Sequence, residues 1–341
     1  ESVTALLEGL GVDALGLNFA PVVLGFPDNG RTTLDGIHYV YGEKLEDSQF
    51  RNDPVNPMRE SNLVKILAVQ TRRPVTNVSW REYAEGRRLR GLIEQRRREG
   101  GYVIFDVRHN ADLAMLAGLL KDEPVVCGSS AIAYYLGMEE GPDTLPPAGP
   151  AGGENARVLC LAGSLTPQTR QQVKCAQQKG VPVFTMRTQA LFSPEGRKAE
   201  EMRLAAAYEA AGAPAMAVIQ TDPAPQAVVQ TKQAAAAAGI APQQAATAVS
   251  DALAAAAEKV AGTHGITRFI VCGGDTSASF CRRFGITGMR VGEEIEPGVS
   301  VCTALEGPLC FVLKSGSFGS PQFLEKARKK LLGTEKERQA P

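Results

Sequence analysis

Three short segments in the second half of the sequence combine glycine with small polar side chains, and each follows an apolar run. They are Gly163-Ser164, Gly273-Gly274-Asp275-Thr276-Ser277 and Ser315-Gly316-Ser317-Phe318-Gly319. Glycine lets the backbone approach an anion, and the N–H groups at a helix start favour phosphate. In open α/β sheets, ligands lie outside the carboxyl ends of the strands. The three loops together therefore predict a nucleotide phosphate site, although any one of them is more often only a tight turn.

Asp275 could do more than bind phosphate. An acid directly after Gly-Gly could cap the following helix or hold Mg²⁺ on the phosphates, and the pattern alone does not separate these roles. Lys314 closes the run before the third loop and could neutralise a phosphate, although a lone lysine is more often solvated. Neither G-x-x-x-x-G-K-[ST] nor G-x-G-x-x-G after a strand occurs. The two common phosphate-binding signatures therefore do not identify the domain.

The first half offers fewer candidates. In Gly30-Arg31-Thr32-Thr33 the Arg31 fork with neighbouring hydroxyls suits a carboxylate or phosphate, and a surface turn is the alternative. His38 lies in an apolar run and is interpreted as a packing residue. Asp106 and Gly128-Ser129-Ser130, at two strand ends, could line a cleft or cap helices. The arginines within 87–98 alternate with glutamates and indicate a solvated helix face rather than a nucleic-acid surface.

Strands alternate with helices along the sequence, which predicts the α/β class with two domains, each a largely parallel sheet flanked by helices. The stretch 141–155 is rich in proline and glycine and has no periodicity. It is the best domain boundary and gives domains at 1–143 and 156–335.

Composition excludes several classes of protein. Apolar residues make up 44% and charged residues 22%, as in an ordinary globular chain. No apolar run reaches the roughly 20 residues of a membrane helix. Lys plus Arg and Asp plus Glu are both 37, so a whole-molecule charge for nucleic acid is missing. Seven cysteines without a C-x-x-C pair predict reduced thiols in the cytoplasm, and three histidines give no legible metal cluster.

Several blocks resemble one known family in order and spacing. The segment Ile270-Val271-Cys272-Gly273-Gly274-Asp275-Thr276-Ser277 resembles the signature of the four-carbon acid sugar kinases. Its two next blocks are similar to 294–299 and 313–321, and Gly163-Ser164 with Gln171 matches a further turn. In the first half, the similar residues are Gly30-Arg31-Thr32-Thr33, His38-Tyr39-Val40, Asp53-Pro54, Pro57, Asp106 and Asp112-Leu113.

The resemblance implies ATP-dependent phosphorylation of a hydroxyl on a sugar acid such as threonate, erythronate or an oxo-tetronate. The N-terminal domain would hold this small-molecule acid and the C-terminal domain the nucleotide, with no nucleic acid or membrane partner and with a homodimer as an open expectation. Arg31 would lie on the substrate side, and Asp275 is the candidate catalytic residue, acting on Mg²⁺ rather than in a metal centre of the protein. The residues implied to bind ATP are Ser164, Gly273, Gly274, Asp275, Thr276 and Gly316.

The sequence also departs from the family pattern. Nothing matches the Asp-Asp-Leu-Thr-Gly-Ala turn with which members begin, or their Ser-Thr-Leu-Arg-Gly block just before the helix where this chain starts. About 90 to 100 family residues are therefore expected before Glu1. Ala278 replaces a usual glycine. The nucleotide half thus looks intact and the acceptor half incomplete. Three hypotheses follow: a kinase represented by a fragment, a nucleotide-binding protein that has lost phosphotransfer and acts by binding or regulation, or a stand-alone α/β protein with no ligand.

Overall fold

The computed structural model describes residues 7–52, 57–84, 86–137 and 156–333. The chain divides into two compact units, Glu1–Thr144 and Leu145–Pro341. The boundary stretch 141–155 and the Asp53-Pro54 pair lie outside the described residues. The predicted α/β class is confirmed, because each unit has a largely parallel sheet with helices.

The first unit contains a four-stranded parallel sheet. The order across it is β5-β6-β1-β7. Every residue of β1 and β6 is buried, as expected for parallel strands covered on both faces. The strands and helices are β1 (Phe19–Val23), β5 (Val75–Val78), β6 (Gly101–Phe105), β7 (Cys127–Gly128), α1 (Leu63–Ala68), α2 (Gly86–Glu99), α3 (Asn110–Leu120) and α4 (Ser130–Gly137). A π-helical segment, Leu7–Asp13, precedes β1.

A small antiparallel sheet in this unit was not predicted. It consists of β2 (Arg31–Leu34), β3 (Ile37–Val40) and β4 (Glu43–Lys44). A two-residue turn joins β2 and β3, and its residues Asp35 and Gly36 have φ values of 51° and 75°. Asp-Gly is a strong hairpin signal because both positions need positive φ. The sequence therefore carried the evidence for this hairpin.

The second unit contains a seven-stranded sheet in the order β12-β13-β14-β11-β8-β10-β9. The part from β14 to β9 is parallel, whereas β12 and β13 extend it with antiparallel pairing that was not predicted. The strands are β8 (Val158–Ala162), β9 (Val183–Met186), β10 (Met216–Thr221), β11 (Arg268–Cys272), β12 (Met289–Glu296), β13 (Val299–Ala304) and β14 (Cys310–Lys314). The helices are α5 (Pro167–Gln178), α6 (Pro194–Ala210), α7 (Pro225–Ala237), α8 (Pro242–His264), α9 (Gly274–Arg283) and α10 (Phe323–Leu332).

The alanine-rich helix α8 forms much of the core behind the sheet. The run from Ala252 to Ala257 is almost entirely buried, and Leu253 packs near Gly163. Alanine is an excellent helix former and its small side chain allows close packing. The helix thus gives β8 and the loop after it a rigid support.

Candidate nucleotide phosphate site

The three predicted loops leave the second sheet side by side. Strands β14, β11 and β8 are neighbours and run parallel, so their carboxyl ends share one edge. Cys272, the last residue of β11, is in register with Ala162 of β8 and with Lys314 of β14. The loops after these strands therefore begin next to one another.

Backbone hydrogen bonds join the starts of the loops. The N–H groups of Gly163 and Ser164 donate to the carbonyl oxygen of Cys272, at 3.2 and 3.1 Å. The N–H of Gly273 donates to the carbonyl oxygen of Lys314 at 2.9 Å. The hydrogen bonding between the strands thus continues for one more residue before the three loops diverge. This fixes the relative positions of the loops.

Two of the glycines are required where the loops touch. A Cβ on Gly163 would overlap the hydroxyl of Thr276, and a Cβ on Gly316 would overlap the side chain of Ser164. Thr276 is accordingly almost fully buried beneath the first loop. Close packing between loops therefore explains Gly163 and Gly316 without any ligand.

The second loop leads into α9 without a side-chain cap. The N-cap residue is Gly273, with φ 123° and ψ 141°, and no side chain accepts from the first turn. In contrast, Thr166 caps the neighbouring helix α5 by accepting from the N–H of Thr169. The first N–H groups of a helix have no intrahelical acceptor. The N–H groups in the first turn of α9, which begins at Gly274, therefore form a site suited to bind an anion, the anion seat.

Gly274, the first residue of α9, faces open space. It is exposed, its φ is not positive, and an added Cβ would meet no atom within 4 Å. Neither backbone conformation nor packing therefore explains a glycine at this position. Free space directly above helix N–H groups is the feature that a phosphate would need.

Asp275 is the second residue of α9, so the alternative that it caps the helix is wrong. It is exposed, and among the described residues nothing holds its carboxylate by a hydrogen bond or ion pair. Carboxylate oxygens are ligands that Mg²⁺ accepts. Asp275 therefore remains a candidate metal ligand beside the anion seat.

Lys314 is not the solvated lysine that sequence reasoning favoured. The residue is 3% exposed, and its Nζ donates to Thr169 Oγ1 at 3.1 Å and to the carbonyl oxygen of Ser315 at 3.1 Å. The ring centre of Phe323 lies 5.8 Å from Nζ. The side chain turns inward because helices α5 and α10 cover this face of the sheet.

Two further polar residues hold the third loop, and sequence reasoning assigned a role to neither. Nε2 of the buried Gln172 donates to the carbonyl oxygens of Phe318 and Gly319, both at 2.9 Å. Glu296 accepts from the N–H of Ser320 at 2.6 Å. Burial opposes ionisation of Glu296, but hydrogen bonds from Lys326 and Ser320 lower its pKa. These contacts fix the loop from both sides.

A helix-face argument could have found Gln172. Thr169 and Gln172 are three residues apart on α5 and share the buried face with Val173 and Ala176. Polar side chains on an apolar face must have partners nearby. The family resemblance in the sequence indicated Gln171 instead, which is exposed and donates to Cys175.

In the first unit, Arg31 lies on β2 and is half-buried. Its Nη1 donates to the carbonyl oxygen of Asn29 at 2.6 Å, and its guanidinium carbon lies 5.7 Å from the ring centre of Phe50. Burial lowers the pKa of Arg31, whereas the neighbouring Tyr41 raises it. Arg31 is thus an ordered cation of the small antiparallel sheet.

His38 is a packing residue, as its apolar surroundings predicted. It is buried, with Nδ1 3.1 Å from Thr33 Oγ1. Burial, together with the charge of Arg31, lowers the pKa of His38 to about 4. The imidazole is therefore neutral near pH 7.

Asp106 is fully buried, and its carboxylate binds both the β2–β3 turn and the start of a short 3-10 helix, Trp80–Ala84. Its buried carboxylate accepts from the N–H groups of Asp35 and Gly36, at 2.6 and 3.0 Å, and from the N–H of Trp80 at 3.1 Å. It also accepts from Asn77 Nδ2 at 3.0 Å. These four donors occupy the lone pairs that a general base would need. Asp106 therefore fastens the β2–β3 turn to the parallel sheet.

Asp112 is engaged in a similar way. Its carboxylate accepts from Nε and Nη2 of Arg108, at 2.9 and 2.8 Å, and from the Arg108 N–H at 2.9 Å. Burial opposes ionisation, but these hydrogen bonds lower the pKa of Asp112. The bidentate pair is a structural contact at the start of α3.

The described residues give no separate metal or membrane signal. No group of three or more potential His, Cys, Asp or Glu ligands occurs among them. None of the helices in the described part of the chain is long and apolar enough to span a membrane. All seven cysteines are free thiols.

Family models match both halves of the chain. A model described as a nucleotide-binding C-terminal domain matches residues 159–324, and one described as a sugar-binding N-terminal domain matches residues 2–136. The first match contains all three loops of the candidate site.

Curated relatives align over almost the whole chain. A 3-oxo-tetronate kinase of Methylobacterium radiotolerans is 31% identical over 337 residues, covering 96% of this chain and 76% of the relative. The enzyme of that name from Pseudomonas fluorescens is 32% identical over 343 residues, with 96% and 74% covered.

Two solved structures have a similar fold. A Salmonella typhimurium protein described as a putative tRNA synthase superposes with a TM-score of 0.70 at 28% identity, covering 93% of this chain and 74% of that one. A Haemophilus influenzae protein gives a TM-score of 0.60 at 27% identity, with 96% and 76% covered.

Proposed function

We propose that this chain, which belongs to the four-carbon acid sugar kinase family, uses ATP to phosphorylate a hydroxyl of a four-carbon sugar acid. Threonate, erythronate and oxo-tetronates are the substrate class. The proposal assigns the nucleotide to the second unit and the acid to the first.

The anion seat at the start of α9 is the observation that carries the proposal. Its N-cap is a glycine, its first N–H groups have no side-chain acceptor, and the space above Gly274 is open. The neighbouring loops bring Ser164 and Gly316 to the same edge of the sheet. Backbone N–H groups and the helix dipole would hold the phosphates there. We therefore assign ATP binding to Ser164, Gly273, Gly274, Asp275, Thr276 and Gly316.

Phosphoryl transfer depends mainly on positioning and charge neutralisation. The exposed Asp275 carboxylate fits Mg²⁺, because hard cations take oxygen ligands and this carboxylate has no other partner in the described chain. A bound Mg²⁺ would neutralise charge on the phosphate oxygens. Asp275 would hold it, directly or through water, beside the helix N–H groups. Thr276 contributes from below by fixing the first loop against the second.

Arg31 is proposed to recognise the carboxylate of the acid. A guanidinium can bind a carboxylate with two parallel hydrogen bonds, which fixes orientation as well as charge. The existing bond to Asn29 and the position over Phe50 hold this side chain in place. A pre-ordered arginine loses less freedom when a substrate binds.

A nucleotide-binding protein without phosphotransfer is the second candidate, and a specific observation favours it. Asp106 and Asp112 are the two acids of the first unit that the family resemblance singles out, and both are held by hydrogen bonds. A kinase reaction would then need another base or a substrate oriented for direct attack.

Calorimetry and a coupled ADP-release assay test the proposal. Wild type should bind Mg-ATP and release ADP with at least one of threonate, erythronate and an oxo-tetronate. Asp275→Asn should lower turnover by about 100-fold or more while the protein stays folded, since a metal ion supplies several kcal/mol. Asp251→Asn, an exposed acid of the same unit paired with Arg282, is the matched control. ATP binding without turnover on any acid would favour the second candidate, and no ATP binding would refute both.

A further inference from the structure

Lys314 is a buried cation directly behind the third loop. It is 3% exposed, and its Nζ contacts only neutral acceptors: Thr169 Oγ1 at 3.1 Å and the carbonyl oxygens of Ser315 and Gly316 at 3.1 and 3.4 Å. No carboxylate of the described residues forms an ion pair with it. A buried charge is costly unless a counter-charge compensates it. A phosphate bound at the adjacent loops would supply such a counter-charge.

The contacts of Lys314 also set the direction of the loop amides. The carbonyl oxygens of Ser315 and Gly316 both face Nζ, and the second also accepts from Thr166 Oγ1 at 2.6 Å and Thr169 Oγ1 at 2.7 Å. In a trans peptide the N–H points away from the C=O, and the described backbone has no cis bond. The N–H groups that follow these carbonyls, on Gly316 and Ser317, are thereby directed away from the ammonium.

The charge reaches the second loop as well. Lys314 is in register with Cys272, the residue immediately before Gly273, and both lie on the same face of the sheet. A hydrogen bond with Cys160 lowers the pKa of the Cys272 thiol, burial opposes this, and the Lys314 charge adds to the lowering. The positive charge of Lys314 therefore lies close to the first residues of both the second and the third loop.

We infer that Lys314 is a positioning residue for nucleotide phosphates. It turns the Ser315-Gly316-Ser317 amides toward the anion seat and supplies a buried positive charge whose partner is the bound polyphosphate. The inference rests on the proposed function, because it requires ATP at this site. It assigns the role to charge behind the loop rather than to direct contact with the ligand.

The test compares ligands that differ in phosphate number. Affinities for ATP, ADP, AMP and adenosine are measured by calorimetry for wild type, Lys314→Met and Lys314→Gln. The glutamine variant keeps a hydrogen-bond donor without the charge, and it decides the question if the methionine variant does not fold. Lys232→Met removes the same charge from an exposed position on α7 and is the matched control. Circular dichroism and thermal unfolding establish that each variant is folded.

The charge role predicts a graded loss. Folded Lys314→Gln should bind ATP at least about tenfold more weakly than wild type, ADP with a smaller loss, and adenosine unchanged. Lys232→Met should match wild type for every ligand. Equal losses for all four ligands would show that Lys314 only supports the loop and would overturn the inference. Unchanged ATP affinity in a folded variant would overturn it too, whereas failure of wild type to bind ATP would instead refute the proposed function.

Discussion

Gly273 and Gly274 are adjacent, yet the structure predicts different consequences for adding a side chain to each. Gly273→Ala should lower stability, and Gly274→Val should lower nucleotide affinity. The difference follows from backbone conformation and from what surrounds each α-carbon.

At Gly273 the penalty comes from the backbone. Its φ of 123° with ψ of 141° lies in a region that is essentially limited to glycine. Such strain costs about 1–3 kcal/mol. The new Cβ would also lie 3.2 Å from Thr276 Oγ1 and 3.3 Å from the Ser164 nitrogen, closer than usual contact. For a unit of this size, roughly 2–4 °C of Tm is lost per kcal/mol, so a fall of about 2–12 °C is expected.

At Gly274 the fold has nothing to lose. Its φ is compatible with any residue and a Cβ would meet no atom within 4 Å. Replacing such a glycine by alanine usually stabilises a protein by about 0.4–1 kcal/mol. The branched valine would, however, fill the space proposed for the phosphates. ATP affinity should therefore fall by about 100-fold or more, which corresponds to about 2.7 kcal/mol.

Thermal unfolding without ligand and calorimetry with Mg-ATP measure the two effects separately. Gly262→Val is the control, because Gly262 is an exposed helix glycine with equally open space but lies on α8 away from the loops. It should leave ATP affinity unchanged. The reasoning is refuted if folded Gly274→Val binds ATP like wild type, or if Gly273→Ala is as stable as wild type.

Three further predictions concern stability. Burial lowers the pKa of His38 from near 6.5 to about 4. Between these pH values only the unfolded chain binds the proton, so the free energy of unfolding should rise by about 3 kcal/mol from pH 4 to 6.5. Urea unfolding at several pH values should show this rise flattened in His38→Gln and retained in His109→Gln, whose side chain is exposed. Asp106→Asn should lower the free energy of unfolding in urea by at least about 2 kcal/mol, because four donors lose a charged acceptor. A variant that is as stable as wild type but has lost turnover would instead indicate that Asp106 is a catalytic base. Gly316→Ala should lower Tm through its overlap with Ser164, and adding Ser164→Gly should restore part of the loss; purely additive effects would argue against the contact.

The parallel part of the fold was predictable because its strands are short, apolar and separated by helices. Every residue of β8 and β11 is buried, so their sequences are continuous apolar runs. β12 was missed for the opposite reason: it is largely exposed and rich in glutamate, so neither burial nor alternation marks it. Helix α6 has a start signal in the sequence, since Ser193 caps it and Pro194 follows.

The convergence of the three loops followed from the sheet rule, but the supports beneath them did not. Lys314 and Thr169 are 145 positions apart, and no local pattern indicates that a helix hydroxyl will meet a strand lysine. Asp106 similarly has its partners on the β2–β3 turn, about 70 residues earlier in the chain. Burial of charged side chains depends on which helices cover them, and that is a tertiary property. Sequence reasoning therefore located the edge of the site better than its interior.

The glycines of the site separate by the reason each position requires one. Gly163 and Gly316 are small because neighbouring loops contact them, and Gly273 is glycine because its φ is closed to other residues. The first-turn position of α9 has neither need, and a glycine there loses more backbone entropy on folding than an alanine would. A residue that the fold disfavours is best explained by something outside the fold. Among these glycines, Gly274 thus gives the most direct argument for a bound ligand, and an anion is the ligand that the uncapped N–H groups beside it suit.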